Sequence, residues 1–290
     1  MNIVDLARGA LAAATRTRLK ASLNARESVC VFDLAQRLNI DLRFEALPSL
    51  EGMYSPGDPP IIVLSALRPT GRQRMNCAHE LGHHVMGHGT RLDQLLAGRA
   101  AQRRFDPDEF AADCFAEYLL MPKLAILLAL SERGIKPEAM EPIDAFRVSS
   151  YFGVGYRALI HHLEVNLQTL PPDRARTLRG VAPKVIRHDV AGRWVDGELL
   201  AADSCWHGRA IDLHTGDLLL LPIGTDFDEF CLRDAGTNSF GQLLLAEAPG
   251  ITRVEHIECG WSSYVRIARR TPGGGYIGRS VYRHEPDIYG

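Results

Sequence analysis

Residues 72–86 read RQRMNCAHELGHHVM and contain the pattern His-Glu-x-x-His. On a helix, side chains four positions apart lie one above the other on the same face. His79 and His83 can therefore bring two imidazole nitrogens to one metal ion, and Glu80 would project beside that ion as a general base toward a bound water. A chance match on an exposed helix would show the same five residues. The flanking sequence must therefore show whether the pattern marks a metal site.

A catalytic zinc site needs a third protein ligand and leaves its fourth position to water. His88 follows His83 by five residues, and five helical steps would rotate it about 140° from the ligand face. The metzincin pattern would need glycine at position 86 and histidine at position 89, where this chain has Met86 and Gly89. We therefore interpret His84 and His88 as groups that support the ligands or lie on the surface.

Residues 106–122 read DPDEFAADCFAEYLLMP and supply a better third ligand. Asp106 suits the N-cap of a helix, and Pro107 suits its first turn. Glu109 and Asp113 would share one face, so that Glu109 could complete a His-His-Glu site and Asp113 could accept the second ring N–H of a ligand histidine. The Asp-x-x-Glu spacing also fits a capping box, which would make Glu109 purely structural. The neighbouring His-Glu helix favours the ligand role.

The two segments together resemble the ImmA/IrrE-type metallopeptidase family, over about residues 25–165. The resemblance implies a gluzincin-like peptidase with one Zn²⁺ per chain. Mn²⁺ is an alternative, because the availability of each metal in the cell also determines which metal a site holds. Characterised members cleave a helix-turn-helix repressor of the XRE type, so the resemblance implies such a repressor as protein substrate and a role in derepressing a stress or mobile-element regulon. Where this chain has Asp113 the family often has asparagine, and both are hydrogen-bond acceptors.

The composition is that of a soluble globular chain: 290 residues, 46% hydrophobic and 23% charged, with a formal net charge of −2. A protein that binds nucleic acid directly is expected to be basic, so the near-neutral net charge argues against this function. No apolar run is long enough to span a bilayer and no signal peptide is visible, so we expect a cytoplasmic protein without membrane contact. Six cysteines without a C-x-x-C pair are expected to be free thiols that are mostly buried.

The order of patterns predicts an α+β fold. We expect a mainly helical zincin-like peptidase domain with a small sheet at residues 1–172, and a β-rich domain at residues 173–290 that is sensory or partner-binding. The predicted elements of the first part are helices at 3–22, 29–38, 123–134 and 137–146, besides the two motif helices, and strands at 40–47 and on either side of a turn at 55–60.

Residues 146–163 resemble the turn and second helix of a helix-turn-helix. Arg157, His161 and His162 would then contact DNA. The alternative is a helix pair that buries its apolar side chains against the peptidase core. The small number of basic residues favours the second interpretation.

Beyond residue 170 the pattern changes from helical to β. Residues 170–180 contain adjacent prolines and are predicted to be a linker, and short apolar runs between turn clusters then predict strands. These runs lie at 184–188, 217–222, 242–247 and 264–268. The histidines at 188, 207, 214 and 256, and Cys205, share no ligand spacing and are interpreted as structural. Gly273–Gly275 are predicted to form a turn rather than a phosphate loop.

The sequence thus favours a zinc endopeptidase in which His79, His83 and Glu109 hold the metal and Glu80 moves a proton. Two alternatives stay open: a toxin-antitoxin component in which the metal is structural, and a DNA-binding regulator that uses residues 146–165. The group that stabilises the oxyanion cannot be assigned from sequence. Tyr54, His84 and His162 are the candidates.

Overall fold

The first half of the chain is built from helices around one four-stranded sheet. A computed structural model describes residues 2–94, 105–206 and 209–269. The elements of this half are α1 (Ile3–Lys20), α2 (Val31–Arg37), β1 (Asp41–Glu45), β2 (Leu50–Ser55), β3 (Ile61–Ser65), α3 (Thr70–Met86), β4 (Arg91–Gln94), α4 (Pro107–Leu120), α5 (Lys123–Glu132), α6 (Pro142–Phe152) and α7 (Tyr156–His161). The three predicted strands are confirmed, and β4 is a fourth strand that the pattern did not predict.

The predicted helix at 137–146 is wrong in its bounds. A short 3-10 turn at Pro137–Ala139 is followed by α6, which starts at Pro142 and runs to Phe152. Proline fixes its own φ near the helical value and needs no N–H at the first position of a helix, so Pro142 begins a new helix instead of continuing an old one.

The sheet has the strand order β1-β3-β2-β4. β1 pairs with β3 in parallel, and β2 pairs antiparallel with both β3 and β4. In this register Gly52 lies opposite Leu64, and Tyr54 lies opposite Ile62. Helix α3 packs against β2 and β3, so the motif helix lies directly beside the sheet.

Helices α3 and α4 approach each other closely at Gly82. A Cβ atom at this position would lie 3.1 Å from Cδ1 of Phe115 and 3.2 Å from Cα of Ala112. Around this contact, Leu81 and Phe115 are fully buried. The small residue therefore lets the two helices that carry the motif residues come together.

The helices α6 and α7 bury their apolar side chains in the core, as the second interpretation of residues 146–163 predicts. Phe152, Val154, Leu159, Ile160 and Leu163 are buried. A turn of π-helix at 162–166 follows α7.

The second half of the chain is rich in β-structure, which confirms the predicted α+β class. Two helices, α8 (Pro172–Arg179) and α9 (Pro183–Ala191), come first. The strands are β5 (Leu199–Ala201), β6 (Ile211–His214), β7 (Leu218–Leu221), β8 (Asp226–Phe227), β9 (Leu232–Asn238), β10 (Gly241–Ala246), β11 (Gly250–His256) and β12 (Trp261–Ala268). They form two four-stranded sheets, in the orders β5-β7-β10-β9 and β6-β12-β11-β8. The turn predicted at 273–275 and His207 lie outside the described residues.

Two predictions for residues 170–190 are wrong. The expected linker is helix α8, in which Pro172 takes the first position and Ala175 and Leu178 are buried. The strand predicted at 184–188 is part of helix α9, whose buried Ile186 and Val190 are four residues apart. A short apolar run has no clear period, so it does not distinguish a strand from one face of a helix.

Many contacts cross between the two halves. Both oxygens of Asp203 accept hydrogen bonds from Arg133, at 2.7 and 2.8 Å. Nη2 of Arg147 donates to the carbonyl oxygen of Phe240 at 2.7 Å. One buried apolar cluster includes residues from Ala10 to Ile267. The division at residue 172 stays a prediction.

Within the described ranges, no single helix is long and apolar enough to cross a membrane. The bent pair of α4 and α5 passes such a test together on length and composition, but both helices bury apolar side chains in the protein core. All six cysteines are free, and Cys77, Cys114 and Cys231 are buried. Half of the thiols, rather than most of them, are thus buried.

Candidate metal centre

The three predicted ligands meet at one point between α3 and α4. Nε2 of His79 lies 3.0 Å from Nε2 of His83. Oε2 of Glu109 lies 3.4 Å from Nε2 of His79, and Oε1 of Glu109 lies 3.7 Å from Nε2 of His83. Within the part of the chain that the structure describes, this is the one group of three His, Cys, Asp or Glu residues whose ligand atoms all lie within 4.8 Å of one another.

These separations fit a tetrahedral zinc ion. Zinc binds nitrogen and carboxylate oxygen at about 2.0–2.2 Å, so two ligand atoms at the tetrahedral angle lie about 3.4 Å apart. The observed separations of 3.0, 3.4 and 3.7 Å bracket this value. Two imidazoles and one carboxylate are also a donor set that catalytic zinc sites use, and it leaves the fourth position open.

The electrostatics of the site favour the forms that bind a metal. Burial, and next the neighbouring His79, lower the pKa of His83 to about 4, so its imidazole is neutral at pH 7. The hydrogen bond with His79 lowers the pKa of the Glu109 carboxyl, so this group is ionised. A neutral imidazole and a carboxylate both offer lone pairs to a cation.

Asp113 lies beside the first ligand histidine. Its Oδ1 is 2.8 Å from Nδ1 of His79, the ring nitrogen that faces away from the other ligands. A carboxylate at this place accepts the Nδ1–H, so that a metal bound at Nε2 would replace the proton which that nitrogen otherwise donates to Glu109. The helical spacing predicted this contact, because Glu109 and Asp113 are one turn apart on α4.

The structure distinguishes between the two roles proposed for Glu109, that of a metal ligand and that of a member of a capping box. Asp106 is the N-cap, and its Oδ1 accepts the backbone N–H of Asp108 at 2.9 Å and that of Glu109 at 3.5 Å. The carboxylate of Glu109 faces the two histidines. Among the described residues it makes no hydrogen bond back to the N–H of Asp106, so the reciprocal half of a capping box is missing.

His88 supports the second ligand histidine. Gly87 ends α3 in the left-handed conformation, with φ of 76°, and the backbone N–H of His88 then donates to the carbonyl oxygen of His83 at 2.9 Å. This turn folds His88 back, so that its Nδ1 lies 2.8 Å from Nδ1 of His83. Nε2 of His88 in turn lies 3.5 Å from Oδ1 of Asp108. His79 and His83 therefore each have a polar partner at the nitrogen that faces away from the site.

Glu80 is fully buried between α3 and the sheet. A Cβ atom at Gly52, on β2, would overlap with Oε1 of Glu80. The absence of a side chain at Gly52 thus makes room for the carboxylate. The sequence did not reveal this part of Gly52 in the site.

Of the three candidates for oxyanion stabilisation, two lie on the side of α3 that carries Glu80. His84 is one turn beyond Glu80, and Tyr54 is two residues beyond Gly52 on β2. The hydroxyl of Tyr54 lies 3.2 Å from Nδ1 of His84. Burial raises the pKa of Tyr54, which keeps its hydroxyl a donor at neutral pH. Tyr54 is buried, not facing solvent on its strand.

His162 has a different place. It is fully buried, and its Nε2 lies 2.8 Å from the carbonyl oxygen of Met121. Its Nδ1 lies 3.0 Å from the side-chain nitrogen of Asn166. Nε2 therefore holds the π-helical turn against the end of α4, Nδ1 is engaged within that turn, and neither nitrogen is free to contact a substrate or DNA.

Comparison with models of protein families gives a match for the first half of the chain. Residues 35–164 match the model of the family described as IrrE N-terminal-like domain, Peptidase_M78. The matched range contains α3 and α4, and so it includes the His-His-Glu group and Glu80. It agrees with the predicted range of about 25–165 and confirms the resemblance over this part of the chain. No curated protein matches the chain.

Proposed function

We propose that this chain, which carries an IrrE N-terminal-like peptidase domain at residues 35–164, is a zinc-dependent endopeptidase. The observation that carries the proposal is the convergence of His79, His83 and Glu109, together with the full burial of Glu80, which directly follows His79 on α3. The family match supports a peptidase, and the donor set supports zinc or another divalent metal such as Mn²⁺.

Each polar residue of the site has a distinct task in this proposal. His79, His83 and Glu109 would hold the ion, which when bound supplies Lewis-acid chemistry to water and to the peptide carbonyl. Glu80 accepts the proton of the attacking water and delivers it to the leaving amine. Asp113 fixes the ring of His79 through the 2.8 Å contact at Nδ1.

Glu80 distinguishes the peptidase from a protein with a structural metal, the toxin-antitoxin alternative. A structural zinc site needs ligands and packing but no general base. Here Glu80, which directly follows His79 on α3, places a fully buried carboxylate in a space that Gly52 leaves free. Keeping such a group desolvated is costly, and a proton-transfer role gives a reason for that cost.

We propose an XRE-type helix-turn-helix repressor as the protein substrate, with the derepression of a stress or mobile-element regulon as the outcome. The support for this part is the resemblance of the two motif segments to the ImmA/IrrE-type family. The alternative of a DNA-binding regulator is less well supported, because His162 and the apolar side chains of α6 and α7 are buried.

The test compares three substitutions with a control. Glu80→Gln should retain the metal but lose cleavage, because an amide cannot accept the proton. Glu109→Gln and His83→Ala should lose tight metal binding as well. Glu138→Gln, at an exposed position on another segment, is the matched control and should behave as the parent chain. Metal content is measured by elemental analysis, and cleavage with a purified XRE-type repressor from the same genome and with unfolded casein.

The outcomes separate the parts of the proposal. A Glu80→Gln chain that cleaves at the parent rate would contradict the mechanism. Equal metal content in the parent and in His83→Ala would contradict the metal site. Cleavage of casein but not of any repressor would retain the peptidase and overturn the proposed substrate.

A further inference from the structure

A cavity of about 290 Å³ lies between the two halves of the chain. Its walls come from the first turns of α3, helix α6 and the turn that follows it, helix α9, strands β5 and β6, and Asp217 directly before β7. None of the three metal-ligating side chains lines it. The volume is close to the lower end of the range of roughly 300–1,000 Å³ for small-molecule sites.

The carboxylates that line this cavity are already engaged. Asp212 receives two hydrogen bonds from Arg266, at 2.6 and 2.9 Å. Asp217 accepts the backbone N–H groups of Glu198 and His214, at 2.9 and 2.8 Å. Glu198 accepts the backbone N–H of Thr70 at 2.9 Å. These carboxylates therefore hold the walls together.

Two arginines of the lining are not engaged in this way. Among the described residues, no hydrogen bond or ion pair involves the guanidinium of Arg74 on α3 or that of Arg187 on α9, and the Nε atom of each is buried. A guanidinium carries five N–H donors, and leaving a buried donor without a partner costs free energy. The third arginine of the lining, Arg72, is by contrast paired with Glu51 at 2.7 Å.

The turn between α6 and α7 places Arg74 in this position. Gly153 has φ of 64°, and a Cβ atom there would overlap with the guanidinium of Arg74. Arg74 also lies near a second cation, Arg209. Burial, and next the charge of Arg74, lower the pKa of Arg209 to about 10. An anion in the cavity would relieve this repulsion.

We propose that the cavity binds a small phosphate monoester through Arg74 and Arg187. A phosphate carries a charge of about −1.5 to −2, which matches two guanidinium groups, whereas a carboxylate would balance one. Arginine also presents its N–H groups in a fork that fits phosphate oxygens. The hydroxyl of Ser150, whose oxygen accepts the N–H of Ala201 at 3.3 Å, is a further donor on the wall.

The site does not depend on the proposed peptidase activity, and it joins parts that are far apart in the sequence. Arg74 lies on the same helix as His79, five residues before it, whereas Arg187 belongs to the second half. A ligand held by both arginines binds the folded chain but not the unfolded one. It should therefore raise the melting temperature of the whole molecule.

The full-length chain is titrated with inorganic phosphate, and with ribose 5-phosphate as the monoester, after treatment with EDTA so that neither binds at the metal site. Sodium chloride at equal ionic strength is the salt control. We expect both phosphates to raise the melting temperature beyond the effect of chloride. Arg74→Ala and Arg187→Ala should each raise the Kd at least about tenfold, the effect of losing hydrogen bonds to a charged group. Arg176→Ala, which removes the same charge from an exposed position on α8, should leave the Kd unchanged.

A second measurement needs no variant. Phenylglyoxal modifies accessible arginines, and mass spectrometry locates them. Phosphate should protect Arg74 and Arg187 in the parent chain, and should not protect Arg176. An equal melting shift with chloride, an unchanged Kd in folded Arg74→Ala and Arg187→Ala, or a lack of protection at both arginines would each overturn the proposal.

Discussion

Gly52 has no side chain, and the carboxylate of Glu80 occupies the space that one would fill. A Gly52→Ala chain should therefore displace Glu80 while the three ligands on α3 and α4 stay in place. A displacement of about 1 Å at a reacting group can cost roughly 10²-fold in rate. We expect a loss of kcat of this size with zinc content unchanged, measured by cleavage kinetics and elemental analysis.

Gly9 on α1 provides the control for this substitution. No atom lies within 4 Å of the position that a Cβ would take there. Gly9→Ala should keep the full rate and, because alanine favours a helix, should not lower stability. A Gly52→Ala chain with the parent rate would show that the position of Glu80 is not critical.

At the scale of residues, the sequence predicts what depends on helical spacing. His79 and His83 on α3, and Glu109 and Asp113 on α4, lie four apart, and the structure brings all four together. Gly52 could not be predicted, because its place opposite Glu80 depends on how β2 and α3 pack. For His88 the sequence left two roles open, a support for the ligands or a surface position, and Gly87 could have decided between them. A glycine directly after a helical pattern is a signal for a left-handed end, and such an end returns the next residue toward the helix.

At the scale of elements, different residues at the start of α4 stabilise the helix and bind the metal. Asp106 caps the helix, and Glu109 faces the histidines. Asp106→Ala should lower the free energy of unfolding by about 1 kcal/mol, the usual cost of losing an N-cap, and should leave the metal content unchanged. Urea denaturation with metal analysis measures both. A loss of zinc as large as that of Glu109→Gln would mean that the cap also positions the ligand.

The errors in the predicted elements have a common physical cause. Residues 170–180 and 184–188 carry few apolar side chains, so local pattern alone favoured a linker and a strand. Both segments are helices because their few apolar residues, such as Leu178 and Ile186, are buried against the rest of the fold. Tertiary packing overrides weak local preference in such short segments.

At the scale of the whole molecule, the change from a helical to a β pattern along the sequence predicts two domains, whereas the packing joins the halves closely. Arg133 and Asp203 form a two-hydrogen-bond pair in which the side chains are 6% and 20% exposed. The hydroxyl of Tyr156 on α7 donates to the carbonyl oxygen of Leu178 on α8 at 3.0 Å. The cavity lined by Arg74 and Arg187 lies along the same boundary. A change in the residues or the charges at this boundary should therefore affect both halves.

A chain that ends at residue 172 tests how independent the halves are. It would leave Arg133 without its partner and would remove Leu178 from the shared core. Breaking a buried ion pair costs about 3 kcal/mol or more, and 1 kcal/mol corresponds to roughly 2–4 °C for a chain of this size. We expect the truncated chain to melt about 10 °C lower than the full chain, or to fail to fold, by circular dichroism.

Fragment complementation shows whether the truncated chain is less stable because it lacks the contacts across the boundary or only because it is shorter. If the boundary contacts stabilise the first half, co-expression of residues 173–290 as a separate chain should restore the melting temperature and the zinc content of residues 1–172. The same fragment carrying Asp203→Ala should restore less, because Arg133 would still lack its partner. A truncated chain that folds, binds zinc and melts with the parent would instead establish residues 1–172 as an autonomous peptidase domain, and the second half would then act on it only through bound ligands or partners.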